Sequence, residues 1–407
     1  MDLSIFEKAR SVLTPIIRKT PLNNISSLVS DVNLFVKLEN LQHTGSYKIR
    51  GAYFCLSQLS EEEKQKGVIA ASAGNHAQGV AYAASKMGIK STIVMPQYAP
   101  LSKVNNTKEY GANVILHGAN FDEAYAHAKK LQQEQGLTFI EPFNDYRIIA
   151  GQGTIAFEIL NQLESVDMVV VPIGGGGLIS GIASVLKHLK PDIKVIGVEA
   201  EGAASLKHAL TTNTIGPLDN LNTIADGIAV KCVGNITYEI CKKYVDDVVI
   251  VSDDEIAQAT LILLEKAKII SEGAGAASVA AILFNKIKDK AKNIVSIISG
   301  GNVDVNFLER LINRGLILQG RKLCVMVDVY DRPGNLNKLL DIFSQEGANV
   351  NSINHERTGH DYISGYVQVE FILETNGKKH AKRIIEILTN KGYNPRVRCK
   401  EVIECDE

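Results

Sequence analysis

The hydrophobic positions of this chain follow two rhythms. For about 300 residues, short β-branched runs alternate with segments of helical period. The runs are LFVKL (34–38), VIAAS (68–72), STIVMP (91–96), NVILHG (113–118), MVVVPI (168–173), KVIGVE (194–199) and NIVSIISG (293–300). Between them lie segments such as NHAQGVAYAASKMG (75–88) and FDEAYAHAKKLQQEQG (121–136), each closed by a glycine as helix C-termini often are. Apolar strands joined through helices predict an α/β protein with open, mostly parallel sheets covered by helices.

Beyond residue 320 the rhythm changes. KLCVMVDVYD, RPGNLNKLLDIFSQEG, ANVNSINHERT, DYISGYVQVEFILE, KKHAKRIIEILTNKG and NPRVRCKEV read as strand, helix, strand, strand, helix, strand. This βαββαβ unit is expected to fold by itself, with the boundary in GLILQGRK (315–322).

Charge narrows the partners. Forty-four Lys and Arg stand against 45 Asp and Glu, both signs interspersed, which leaves no footprint for nucleic acid. The six cysteines (55, 232, 241, 324, 399 and 405) form no CxxC pair and have no histidine at zinc-site spacing, so no metal is expected from them. The uncharged stretch 168–186 approaches the length of a membrane span, but its proline and four glycines argue for strand, loop and helix. The N-terminus has charges within its first ten residues and no apolar core of a leader, so a cytoplasmic protein without membrane attachment is expected.

Three strand-to-helix junctions carry the candidate chemistry. Gly174, Gly175, Gly176 and Gly177 form a loop without side chains between MVVVPI and a helix beginning near Leu178, where several backbone N–H groups can face one phosphate. Neither the dinucleotide frame G-x-G-x-x-G/A nor the triphosphate loop G-x-x-x-x-G-K-[ST] fits these glycines; GQGTIA (151–156) fits the first by letters but follows no strand. A monophosphate fits best. At the second junction Ser72, Ala73, Gly74, Asn75 and His76 have the form of a carboxylate cradle. At the third, SGGN (299–302), Ser299 presents a hydroxyl where the chain turns away. All three follow strand C-terminal ends, where open α/β folds place ligands. Lys48 in TGSYKIRGA opens a helix, at the positive end of its dipole, a poor site for a structural ammonium and a suitable one for an amine that must lose its proton.

GSYKIRGA, SAGNHAQG, GGGGL and SGGN, in this order, resemble the fold type II pyridoxal-phosphate enzymes, and among them the threonine dehydratases (threonine ammonia-lyases). The resemblance covers roughly residues 5–315, and the tail from 322 resembles an ACT domain through DRPGNL (331–336). It implies a tryptophan-synthase-β-like catalytic domain over 1–320, with a smaller subdomain inserted over roughly 50–150, and a ferredoxin-like regulatory domain over 321–407. By the same resemblance Lys48 carries the cofactor pyridoxal 5'-phosphate and removes the substrate Cα proton, and Tyr47, often phenylalanine in relatives, packs beside the ring. Asn75 bonds the cofactor's 3-hydroxyl oxygen, Ser72 to His76 hold the substrate carboxylate, Gly174 to Leu178 hold the phosphate, and Ser299 meets the pyridine nitrogen. An amino-acid effector, isoleucine or valine, is implied where two tails pair in a homo-oligomer, dimer or tetramer.

Three features depart from the pattern or stay open. Racemases of this fold have a serine where this chain has Ala73. The acid that completes a divalent site in some relatives is Ser205 here, beside Glu199 and Ala203. Glu272 in SEGAGA (271–276) reads equally as a helix N-terminal charge and as a residue near the ring. The expected reaction is deamination of L-threonine, and more slowly L-serine. The alternatives are another enzyme of this fold type (a serine racemase or dehydratase, a threonine synthase or a β-replacement enzyme), a nicotinamide-dependent oxidoreductase using Glu199 for the ribose, and a non-catalytic amino-acid sensor.

Overall fold

The computed structural model describes residues 1–356 and 365–398; His360, Cys399, Cys405 and the end of the expected last strand lie outside them. The chain forms two compact units, 1–308 and 309–407. The division falls inside the helix Val305–Leu318, ahead of the expected boundary in 315–322. Ile317 near the end of that helix already packs on the C-terminal core, and the Thr375 N–H donates to the Arg321 carbonyl at 3.0 Å, which ties the expected linker into the second unit.

The first unit is built on two sheets. The larger contains β1 (Leu22–Asn24), β2 (Asn33–Leu38), β7 (Met168–Pro172), β8 (Lys194–Ala200), β9 (Asp247–Val251) and β10 (Asn293–Ile298), in the order β1-β2-β10-β7-β8-β9. Only β1, at the edge, runs antiparallel. The smaller sheet is parallel throughout, with β3 (Val68–Ala71), β4 (Ser91–Met95), β5 (Asn113–Leu116) and β6 (Thr138–Phe139) in the order β5-β4-β3-β6. Every residue of β3 and of β7 is buried, as helix layers on both faces of a parallel sheet require. The short β1 and β6 carry too few apolar residues to be singled out from sequence, whereas β9, with VVIV between Asp247 and Ser252, has a strand pattern that the expectations above do not include.

Helix Tyr146–Gln162 contains the GQGTIA segment. A Cβ at Gly151 would lie 2.5 Å from the Arg50 carbonyl oxygen, and one at Gly153 2.6 Å from the Phe6 ring. These glycines let helices approach closely, and the dinucleotide reading of that segment does not hold.

Beneath helix Lys48–Ser57 lies a buried ionic network. Arg50 donates to Glu39 through Nε (2.8 Å) and Nη2 (2.7 Å) and to Glu158 through Nη1 (2.7 Å), and Lys37 donates to Glu158 at 2.6 Å. Lys37, Glu39 and Arg50 are wholly buried. Two cations and two carboxylates cancel, and Thr20, Thr154 and Gln162 fill the remaining hydrogen-bond positions. The network joins the end of β2, helix Lys48–Ser57 and helix Tyr146–Gln162.

The second unit contains β11 (Lys322–Tyr330), β12 (Asn349–Glu356), β13 (Tyr366–Glu374) and β14 (Arg396–Val397) in the antiparallel order β12-β13-β11-β14. Leu323, Val325, Val327 and Val329 alternate inward on β11, as do Val367, Val369, Phe371 and Leu373 on β13. Helix Asn335–Glu346 buries Leu339, Ile342 and Phe343 in the same core, and helix Lys378–Asn390 buries Ala381, Ile384 and Leu388. No helix among the described residues is long and apolar enough to cross a membrane.

Removing one partner of a buried ion pair leaves the other charge desolvated and unpaired, which costs about 3–5 kcal/mol. Glu39→Ala is expected to lower the stability of the chain by about that amount in urea denaturation.

Candidate functional site

Every candidate segment follows the C-terminal end of a strand. Lys48 lies ten residues past Leu38 of β2, Ser299 directly after β10, Gly174 two residues past Pro172 of β7, and Ser72 directly after β3. The bridge between Ser46 and Gly300, the bond from the Tyr47 N–H to the Ser299 carbonyl (3.1 Å) and that from the Gly301 N–H to the Gly45 carbonyl (2.9 Å) hold the first two segments together.

Lys48 is the first residue of its helix, with Tyr47 at the N-cap. Its Nζ donates to the Pro142 carbonyl at 3.0 Å and lies 5.3 Å from the centre of the Tyr47 ring. Solvent reaches part of the side chain, but the amine is enclosed, and burial lowers its pKa to about 8 against the opposing pull of Glu272. Burial, then the Glu272 charge, raise the Tyr47 phenol above its ordinary value.

The residue after Pro142 reaches the glycine loop. A Cβ at Gly175 would lie 2.2 Å from the Phe143 ring, and one at Gly177 2.9 Å from the Phe143 Cβ. Gly176 has φ +88° and is closed in by Thr237, whose hydroxyl donates to the Gly175 carbonyl at 2.7 Å. Helix Gly177–Leu189 begins one residue before Leu178. Among the described residues the N–H groups of Gly174, Gly175, Gly176, Gly177 and Leu178 donate to no protein acceptor, although all but Gly174 belong to buried residues. Buried amides left unpaired at a helix N-terminus form an anion site.

The second cradle opens helix Asn75–Lys86, with Gly74 at its N-cap and open space where a Gly74 side chain would be. The Gly74 N–H donates to the Ser72 hydroxyl at 3.2 Å, while those of Ala73, Asn75 and His76 have no protein acceptor among the described residues. His76 is buried, and its Nε2 donates to the Ile140 carbonyl at 3.0 Å. Burial, with Lys48 nearby, pushes its pKa down to about 3, so the ring is a neutral packing and hydrogen-bonding group.

Glu272 is the N-cap residue of helix Gly273–Leu283, but its side chain caps no helix N–H; instead Oε1 accepts from Asn75 Nδ2 at 2.7 Å. Burial, then the Asp226 charge, raise its pKa to about 7. The structure thus brings Glu272 into the site. The Ser299 hydroxyl is nearly buried and has no hydrogen-bond partner among the described residues. Glu199 is committed elsewhere: its two carboxylate oxygens accept from the Leu206 and Lys207 N–H groups at 2.8 Å each, in the first turn of helix Ser205–Thr212. No group of three or more metal-ligating side chains occurs among the described residues.

Sequence reasoning did not single out Pro142, Phe143 or Asn302. EPFND follows the two-residue strand β6, too weak a pattern to mark a fourth junction; Asn302 stood in the SGGN motif without a role. His43 stacks on Tyr82 with ring centres 5.6 Å apart, and Thr44 gives its carbonyl to Asn302.

Residues 13–300 match the family model described as pyridoxal-phosphate dependent enzyme. The chain is 49% identical over 399 residues to an L-threonine ammonia-lyase of Thermotoga maritima, covering 98% of this chain and 99% of that protein. Among solved structures it is similar to the processed form of threonine deaminase isoform 2 from Solanum lycopersicum (TM-score 0.72, 39% identity, 77% of this chain and 94% of that one). It is also similar to maize serine racemase (TM-score 0.73, 36% identity, 77% and 98%).

An amine with a pKa of about 8 becomes nucleophilic as the pH rises through that value, below the ordinary lysine range. Imine formation between the cofactor-free protein and pyridoxal phosphate, followed by absorbance, is expected to accelerate with a midpoint near pH 8 and to be lost in Lys48→Ala.

Proposed function

The chain belongs to the family of pyridoxal-phosphate dependent enzymes, and on that premise we propose that it is a lyase converting L-threonine to 2-oxobutanoate and ammonia, with L-serine as the slower substrate. One observation carries this reading. Two successive residues, Pro142 and Phe143, link an amine held near neutrality to a row of unpaired backbone donors.

When bound, pyridoxal phosphate supplies an electron sink that stabilises negative charge at the substrate Cα. The residues present suit such a group: the N–H donors of Gly174 to Leu178 match a phosphate monoester, and the unpaired Ser299 hydroxyl matches a pyridine nitrogen. Tyr47 packs beside the ring, and Asn75 donates to the 3-hydroxyl oxygen. Lys48 would hold the cofactor through its amine and, as a free amine, would accept the proton from the substrate Cα. In the segment Ser72 to His76, the N–H groups of Ala73, Asn75 and His76 and the Ser72 hydroxyl orient the substrate carboxylate, while the Ser72 N–H is held by the Val94 carbonyl and the Gly74 N–H by the Ser72 hydroxyl. A hydroxyl at Ser299 is too weak an acid to keep the ring nitrogen protonated, which favours β-elimination over transamination. Ala73 brings no hydroxyl to the other face of the substrate, which disfavours racemisation although racemases share the fold.

Purified protein is expected to absorb visible light after addition of pyridoxal phosphate and to form 2-oxobutanoate from L-threonine without a second nucleophile. Lys48→Ala should lower kcat by about a thousandfold or more. A Lys48→Ala protein with full turnover rules this reading out.

The C-terminal unit, in the same reading, is an ACT-like regulatory domain that pairs with a second copy in a homo-oligomer and binds an amino acid there. Support comes from the DRPGNL turn and from β12, which lies at the edge of its sheet among the described residues. Isothermal titration of the full chain with isoleucine or valine is expected to show binding and a changed threonine response; absence of heat with either amino acid removes them as effectors.

A further inference from the structure

Asn302 lies at the end of SGGN and joins three parts of the site. Its Nδ2 donates to the Thr44 carbonyl at 2.7 Å and to Asn75 Oδ1 at 2.8 Å, with Gln78 Oε1 at 3.4 Å. Asn75 Nδ2 in turn donates to Glu272 Oε1. The relay ends on two accepting atoms: the Thr44 backbone carbonyl, and Glu272 Oε1, which receives the Asn75 N–H. A terminal carbonyl obliges Asn302 to present its NH2, and the only complementary group Asn75 can turn toward it is its oxygen. Asn75 must then present its NH2 on the other side. Gln78 agrees with this polarity, since its Oε1 faces Asn302 and its buried Nε2 has no partner among the described residues.

The backbone makes room for the relay. Gly45, at φ +69°, has Asn302 Oδ1 2.2 Å from where its Cβ would be, and a Cβ at Gly300 would lie 2.4 Å from Glu272 Oε1 and 3.2 Å from Asn75 Nδ2. Any side chain at residue 300 would occupy the Asn75–Glu272 bond.

We infer that Asn302 is a positioning residue: by donating to Asn75 Oδ1 it fixes the Asn75 amide so that N–H, and not C=O, faces Glu272 and the cofactor oxygen that the proposed function assigns to Asn75. The inference rests on that reading for the identity of the acceptor. An Asn75 amide turned the other way would set oxygen against oxygen at both places, and Asn302 holds it against that rotation.

The test uses the full-length protein with pyridoxal phosphate. Asn302→Asp replaces the donor by an acceptor and drives the Asn75 amide to turn; Asn302→Ala leaves it unguided and serves where the aspartate variant does not fold. At a temperature where circular dichroism shows each variant folded, the ratio of the visible to the near-ultraviolet absorbance band is expected to change, and cofactor affinity by equilibrium dialysis to weaken about tenfold. A role confined to packing lowers Tm and leaves the bands of the folded protein as they are. Folded variants with the wild-type band ratio and cofactor affinity overturn the inference alone. Wild-type protein that gains no visible absorbance with pyridoxal phosphate overturns the proposed function, and the inference with it.

Discussion

The site depends on one pairing: β10, from the end of the first unit, lies in parallel between β2 and β7. The register sets Leu38 beside Ile298, and Pro172, which pairs with Val198, ends on the same side of the sheet. Parallel strands deliver their C-terminal ends to one edge, so segments about 250 residues apart in sequence leave the sheet together. The Ser46–Gly300 bridge continues this alignment for a few residues beyond the strands and fixes Tyr47 against Ser299. The small sheet adds Ser72 from the end of β3 and Pro142 from beyond β6, and no single segment holds enough of the chemistry to act alone.

Burial dominates the electrostatics of the cleft. It lowers Lys48, lowers His76 and raises Glu272, in each case toward the neutral form, and it is the largest cause for all three. The consequence is a site whose amine and carboxyl group titrate close to neutral pH and whose anion cradles are built from backbone N–H dipoles. The ion pairs stand a layer away, in the Lys37–Glu39–Arg50–Glu158 network, where each acidic side chain meets a basic one. That separation lets helix Lys48–Ser57 be anchored by salt bridges on one side while its first residue gives up its proton on the other.

Much of this was legible in sequence because strands buried on both faces read as apolar runs, and because the junctions after them carry glycine, serine and asparagine. Lys48, Asn75, Gly174 to Gly177 and Ser299 stand out on that basis, and each lies in a segment that follows the C-terminal end of a strand. What escaped was set by distance in sequence. Pro142 acts through a carbonyl, which every residue has; Phe143 acts by lying against glycines more than thirty residues away; Asn302 acts on an amide 227 residues earlier. Glu272 could not be decided from position alone, because a helix N-cap and a cleft wall place the same residue type at the same point in the pattern. The division into units falls ahead of the expected boundary for a related reason: helix Val305–Leu318 continues past it, and periodicity does not report which core the end of a helix joins.

The four consecutive glycines illustrate how far a sequence argument from side-chain absence reaches. Their entropic cost suggests close approach by a ligand, yet much of the room they leave is taken by the chain itself: Phe143 covers Gly175 and Gly177, Thr237 meets Gly176, and Ile228 and Val230 meet Gly174. The missing side chains are therefore explained by packing, and on their own say nothing of a phosphate. What points to an anion is the row of N–H groups that the same packing leaves without acceptors among the described residues, since a fold that merely needed a tight turn would pair them. Glycine shapes the wall of the cradle, and the unpaired amides give it a ligand to hold.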